Sequence, residues 1–329
     1  MQPDRSKYPN HAFIHYMIKR FASLPVQFIA LGTLLFTALG FLGHLDWRLD
    51  LFAHFRMHYA LAALGTGVLL VYLRKWLMLG IPIVALLVNG WLLAPYYLTA
   101  RDSLPANGRP ISFIIFNVLM ENRRSNDVLA YLQAQHPDII ALTEVDLAWT
   151  VKLKPLEQDY PYRRLVPRGG HAGVAIYSRL PFTGEAVLLT PRGFWSVIGD
   201  LSVGDQTVQL VLTHPVAPTN QRSAQLRDTQ IQAIADLVQQ GHKPTLVLGD
   251  FNASPWSVAF EPLQRQSPLR DSALSFGLQP TWNAFNFVTR TFIDHVWVPP
   301  EFAVLNHHVG PALGSDHFPV EVTLAWRGS

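Results

Sequence analysis

Along the last two-thirds of the chain, polar residues of metal-ligand or acid–base type stand alone at the ends of hydrophobic runs. Asn117 ends FIIFN, Glu144 ends IIALTE, His214 ends LVLTH, and Asp250 and Asn252 close LVLGDFN. Asp294 lies within TFIDHVWV, and Asp316 and His317 precede the last apolar run in GSDHFPV. Singly, an Asn or Asp after a strand also reads as a turn former, and His214 before Pro215 as an ordinary loop residue. As a set they imply a shared site. Strand ends on one sheet edge converge on one rim, so carboxylates far apart in sequence can hold a single ion. Oxygen donors of this kind suit a hard divalent cation. The chain has no cysteine, which excludes disulfides, thiol catalysis and cysteine-ligated metal sites.

The elements that carry these residues alternate between strand and helix. Residues 101–110 (RDSLPANGRP) form a polar linker. Continuous apolar runs predict buried strands over Ile111–Phe116, Asp138–Leu142, Gly173–Tyr177 and Thr245–Leu248. Val197–Leu201 and Val208–Leu212 flank a Gly-Asp turn, as a hairpin does. Phe292–Val298 and Val320–Ala325 complete the strands. Ser125–Gln135 is a helix with Ser125 at its N-cap and Val128, Leu129 and Leu132 on one face. Thr219–Gln240 is the longest helix, closed by Gly241. Many short strands and few helices predict two sheets packed face to face with helices outside.

The order FN, TE, GVAIYSR, TH, GDFN, IDHV and SDHFPV resembles the endonuclease/exonuclease/phosphatase superfamily. Its members include deoxyribonuclease I, exonuclease III, neutral sphingomyelinases, inositol polyphosphate 5-phosphatases and deadenylases. The resemblance covers about residues 109–326. It implies a four-layered α/β/β/α sandwich over residues 111–329, and Mg²⁺-dependent hydrolysis of a phosphoester, with Mn²⁺ as a substitute ion. Carried over, Glu144 is the principal metal carboxylate, supported by Asn117, with Asp316 a metal-side acid. Asp250 positions or deprotonates the attacking water. His317 contacts the scissile phosphate, Asp294 orients His317, and His214 and Asn252 face the phosphate. His171, in GGHAGVAIYSR, lies where substrate-facing residues occur; it also reads as an exposed loop residue.

The chemistry matches these residue types. A divalent ion neutralises phosphate charge. A histidine beside an acid stays protonated and donates to a phosphoryl oxygen. A carboxylate within about 3 Å of a water can accept its proton. Two positions depart from the pattern. Thr143 stands where the family often has Gln. Leu119 stands where the exonuclease III branch has Asp, which argues against an abasic-site nuclease. Segments 121–126, 163–172 and 282–291 are the expected specificity loops. Arg163, Arg164 and Arg168 form either a basic rim or a solvated loop.

The first hundred residues differ in kind. Leu24–Gly43, Met57–Leu73 and Trp76–Ala100 carry no Asp, Glu, Lys or Arg. A helix needs about 20 apolar residues to cross roughly 30 Å of hydrocarbon, so residues 1–100 are expected to be a lipid-embedded anchor with three spans. Arg5, Lys7, Lys19 and Arg20 before the first run, and Arg74–Lys75 after the second, favour an inside N-terminus. The domain after the linker then lies outside, which in a bacterial inner membrane is the periplasm. With only two spans it would face the cytoplasm. Residues 1–100 hold 8 Lys+Arg and 3 Asp+Glu, so 8 − 3 = +5 of the chain's net +3; the remainder carries −2. A near-neutral domain removes the compositional argument for a polyanion binder.

The expected activity is therefore that of a membrane-anchored phosphodiesterase or phosphatase. Its substrate would be a lipid headgroup, small molecule or nucleic acid. A DNA or RNA nuclease is the alternative, and a catalytically inactive binding module the third. No protein partner is implied.

Overall fold

The computed structural model describes residues 11–106 and 108–327, with backbone alone for residues 11–22. Arg5 and Lys7 of the orientation argument, and Asn107 of the expected linker, lie outside the described residues. The chain divides into two compact units after Ala94.

The first unit contains helices α1 (His11–Leu39), α2 (Arg56–Tyr72) and α3 (Gly80–Leu93). Among the described residues, two helical stretches are long and apolar enough to cross a membrane, Trp47–Tyr72 and Trp76–Leu93; Ser23–Leu39 is a shorter apolar helix. The expected third run, Trp76–Ala100, does not stay helical to its end. α3 stops at Leu93, and Pro95 begins a separate turn, Pro95–Leu98, that belongs to the second unit. A proline has no amide for the helical ladder, so a break there is natural. Polar contacts join these helices at Thr37. Arg56 Nη1 donates to the Thr37 carbonyl at 2.7 Å, and Asn89 Nδ2 to Thr37 Oγ1 at 2.8 Å.

The second unit holds twelve strands: β1 (Pro110–Asn117), β2 (Ile139–Thr143), β3 (Tyr162–Val166), β4 (Val174–Ser178), β5 (Phe182–Val187), β6 (Ser196–Val203), β7 (Gln206–Thr213), β8 (Thr245–Asp250), β9 (Arg270–Asp271), β10 (Asp294–Val298), β11 (Phe302–Val309) and β12 (Val320–Trp326). They form two six-stranded mixed sheets, β11-β12-β1-β2-β4-β3 and β5-β6-β7-β8-β10-β9. Phe113, Ile115, Ala141 and Ile176 of the first sheet pack with Leu210, Leu212, Leu246 and Leu248 of the second. On the outer side of the first sheet, α4 (Ser125–Gln135) buries Val128 and Leu132 with Ile140 and Leu142. On the second, α5 (Gln221–Gln240) buries Ile231, Ile234 and Ala235 with Val211 and Val247. Strands covered on both faces read as near-continuous apolar runs, and β2 and β8 are buried at every position.

Each sheet contains one parallel pair, β1 with β2 and β7 with β8. A parallel pair brings two strand C-termini to the same edge. This places Asn117 beside the start of Glu144, and His214 beside Asp250. Parallel neighbours also need a long crossover, and α4 and α5 supply the two crossovers.

Several expected boundaries move. Ser125 does not cap α4: the helix starts at Ser125 and Arg124 makes no side-chain cap. Asn122 Oδ1 instead accepts the Arg124 N–H at 2.8 Å. α5 starts at Gln221 behind an Asn220–Ser223 capping box. Ala100, the last residue of the expected anchor, and Asp102 of the expected linker are bonded into the second unit. Asp102 accepts the Val304 N–H at 2.8 Å and pairs with Arg270 and Arg327, and Ser275 Oγ donates to the Ala100 carbonyl at 3.1 Å.

Candidate active site

The loops that leave the strand ends carry an unusual backbone. Leu119, Glu144, His171 and Asn252 all adopt left-handed φ, at 56°, 62°, 64° and 51°. Non-glycine residues held there cost on the order of 1 kcal/mol each, and the surrounding bonds hold them. Gly249 of GDFN has φ +140°, and a Cβ on it would lie 1.9 Å from the Thr213 carbonyl oxygen. Only glycine lets β8 pass β7 this closely and turn Asp250 into the site.

Asn117, buried at the end of β1, donates from Nδ2 to Glu144 Oε1 and to Asp250 Oδ2, both at 2.9 Å. Its Oδ1 accepts the Leu119 N–H at 3.0 Å. That bond fixes the amide orientation, so Asn117 presents nitrogen rather than oxygen to the carboxylates. Its nitrogen thereby bridges the Glu144 and Asp250 carboxylates. Glu144 Oε2 accepts the Met120 N–H at 3.3 Å, and His171 Nδ1 lies 2.6 Å from the same oxygen.

Asp250 lies at the centre. Its Oδ1 accepts the Asn252 N–H at 2.9 Å. Its Oδ2 faces His214 Nε2 at 3.4 Å and His317 Nε2 at 3.5 Å. His317 Nδ1 donates to Asp294 Oδ2 at 2.8 Å. Register explains this approach: Asp294 starts β10 directly opposite Asp250 at the end of β8. Asn252 Nδ2 donates to the Pro215 carbonyl at 3.0 Å and sits 3.3 Å from His214 Nε2. Phe194 packs edge-on against the His214 ring. Asp316 Oδ2 accepts the Trp282 indole N–H at 2.9 Å.

The charges respond to this packing. Burial alone would lower the His317 pKa, but the Asp294 and Asp250 carboxylates outweigh it and raise it to about 10. Burial would raise Asp250, yet the His317 charge and the His214 hydrogen bond hold it well below the usual carboxylate range. Burial likewise opposes protonation of His214 and His171, and their bonds to Asp250 and Glu144 push both pKa values up.

All nine residues singled out in the sequence thus fall in one cluster of side chains. Eight are joined by contacts of 3.5 Å or less; Asp316 joins through its charge on His317 and His171. Among the described residues, two groupings of donor atoms lie close enough to hold an ion: Glu121 with Glu144 and His171, and Asp250 with Asp294 and His317. Buried Asp316 Oδ1 and Asp294 Oδ1 have no hydrogen-bond partner. Unpaired buried carboxylate oxygens beside further carboxylates fit a divalent cation.

Some contributors were not legible in the sequence. Thr281 Oγ1 accepts the Asp294 N–H at 3.3 Å. Ser315 Oγ accepts the His317 N–H at 3.0 Å and donates to the Asn117 carbonyl at 2.7 Å. Glu121 and Trp282 open two of the expected specificity loops, 121–126 and 282–291, where no pattern singled out either residue. The basic rim does not form as a group. Arg163 and Arg164 lie in β3, where Arg163 pairs with Glu157 at 3.1 Å, and Arg168 stacks on Trp195.

A family model described as the endonuclease/exonuclease/phosphatase family matches residues 114–317. No curated protein matches the chain. Several solved structures share the fold. TDP2 from D. rerio, complexed with single strand DNA product, is 19% identical; the match covers 65% of this chain and 98% of that one, with a TM-score of 0.57. An endonuclease/exonuclease/phosphatase family protein from Bacteroides thetaiotaomicron is 19% identical over 67% and 99%, with a TM-score of 0.54. Beta toxin from Staphylococcus aureus is 17% identical over 64% and 99%, with a TM-score of 0.50. At such identities these likenesses speak for the fold alone. The family match spans more than half of the 329 residues and includes the strand ends from Asn117 to His317. The chain therefore belongs to the endonuclease/exonuclease/phosphatase family, as a metal-dependent hydrolase of phosphoric ester bonds.

Proposed function

We propose that this enzyme is a membrane-anchored phosphoesterase, using Mg²⁺ or Mn²⁺, that cleaves its substrate by in-line attack of water. The observation that carries the reading is the line of contacts from Glu144 through Asn117 and Asp250 to His317 and Asp294, hydrogen-bonded throughout except for the Asp250–His317 ion pair at 3.5 Å. Glu144 and Asp316 would hold the ion, which when bound supplies charge neutralisation at the phosphate and leaving oxygen. Asp250, kept ionised by two histidines, orients the water and accepts its proton. Protonated His317, held by Asp294, donates to a phosphoryl oxygen as negative charge builds there. His214 and Asn252 give further polar contacts to the phosphate. Asn117 fixes the spacing between the metal side and the water side.

The preferred substrate in this reading is a small or membrane-presented phosphoester rather than long DNA. Three features support it. The catalytic unit lacks the positive charge that counterion release from a polyanion requires. Leu119 replaces the Asp of the abasic nucleases. The first unit has helices apolar enough for a bilayer. The nuclease reading is favoured by one observation, the fold shared with a protein bound to single strand DNA product. The test is the ratio of turnover on plasmid DNA to turnover on phospholipid and soluble phosphodiesters, in one preparation at matched salt. Low DNA nicking is expected. Efficient nicking at physiological ionic strength, lost in His214→Ala or His317→Ala, would make the nuclease the better reading.

The chain is further proposed to sit in a bacterial inner membrane with three spans, the catalytic unit facing the periplasm. Lys and Arg at the N-terminal flank and at Arg74–Lys75 support this orientation. An export-dependent reporter enzyme fused after residue 105 is expected to be active. Activity of a cytoplasm-only reporter at that junction would mean two spans or an inverted topology.

A further inference from the structure

Glu121 and His171 take no part in the chemistry assigned above, yet they close over the metal-side carboxylate. His171 Nδ1 is 2.6 Å from Glu144 Oε2, and its Nε2 is 3.5 Å from Glu121 Oε1. One donor atom from each of Glu121, Glu144 and His171 lies within 4.8 Å of the others. His171 is partly exposed, but it is not a loosely held surface residue. It follows Gly170, and both residues are in left-handed backbone, φ 66° and 64°, which folds the loop back towards Glu144. Asp316, whose charge reaches His171, keeps a buried Oδ1 with no partner.

Donors of one ion with bonds of about 2.1 Å stand roughly 3 Å apart when adjacent and roughly 4.2 Å apart when opposite. The Glu144–His171 pair needs to open by only a few tenths of an ångström to meet this spacing. The 3.5 Å Glu121 contact is to the other ring nitrogen, Nε2; taken with one nitrogen only, His171 and one oxygen from each carboxylate lie within 4.8 Å of one another, so Glu121 needs a side-chain rotation to reach the same ion. Imidazole suits transition metals, whereas carboxylate and water suit Mg²⁺ and Mn²⁺ alike. A nitrogen donor therefore discriminates between the two ions.

We propose that His171 is a nitrogen ligand of the divalent ion held at Glu144, with Glu121 as a further carboxylate, so that the site takes Mn²⁺ in preference to Mg²⁺. This rests on the metal-dependent reading of the site. The experiment uses the full chain in detergent, loaded with Mn²⁺ and examined by pulsed electron paramagnetic resonance, with calorimetric titration of Mn²⁺ and Mg²⁺. Wild type is expected to show imidazole-nitrogen modulation. His171→Ala and His171→Gln are expected to lose it, with Mn²⁺ affinity falling on the order of 10-fold or more and Mg²⁺ affinity falling less. Mn²⁺ bound without nitrogen coupling would overturn the ligand assignment and leave the phosphoesterase reading intact. Coupling that survives both substitutions would assign the nitrogen to another histidine and overturn it equally. No Mn²⁺ or Mg²⁺ binding at all would overturn both.

Discussion

Glu144→Gln is expected to lower kcat/KM by on the order of 10²–10⁴, the equivalent of several kcal/mol of transition-state stabilisation. The substitution changes little in shape and much in chemistry. Both carboxylate oxygens already face donors: Asn117 Nδ2 on one side, and the Met120 N–H and His171 on the other. A glutamine has one oxygen and one NH₂, so its nitrogen must face a donor whichever way the amide turns. The ion also loses a negative ligand. The same variant should bind Mn²⁺ more weakly while its circular dichroism matches wild type. Wild-type turnover at ordinary metal concentrations would show that Glu144 is not the metal carboxylate.

His317→Ala should lower kcat by on the order of 10²–10³, the cost of removing one preorganised donor from a buried site, with metal affinity nearly unchanged. His317 reaches Asp294 through Nδ1 and faces Asp250 through Nε2, so it sits against these two carboxylates rather than against Glu144. Its charge persists at neutral pH. The folded pKa of about 10 lies above the ordinary value of about 6.5, so the stabilisation is complete below that value and is lost as pH rises towards 10. An NMR pH titration of the metal-free protein should find this imidazole still protonated at pH 8. A midpoint near 6.5 would mean that the two carboxylates do not hold it.

The structure shows which parts of this fold a sequence can carry. The interior strands were legible because both their faces are covered, leaving apolar runs such as IIAL in β2 and LVL in β8. The strands that escaped are β3, β5, β9 and β11, and these are the four sheet edges. Edge strands mix polar and apolar residues because one side meets solvent, as YRRLV and FTGEAV do. The anchor boundary failed for a related reason: hydropathy continues past Pro95, but a helix does not. At the site, strand-end position identified the residues that meet. Orientation was not legible. That Asn117 turns its nitrogen inward depends on one backbone N–H at Leu119. That Glu121 and Trp282 approach depends on loops whose course is set by contacts distant in sequence.

The most direct measurement is hydrolysis of a chromogenic phosphodiester by the purified full chain, first with Mg²⁺ or Mn²⁺, then in excess chelator, then with the ion restored. Carboxylates that converge with unpaired buried oxygens should leave the enzyme dependent on an added cation. Activity should disappear on chelation and return with the metal. Full turnover in excess chelator would contradict a metal-assisted mechanism at Glu144 and Asp316.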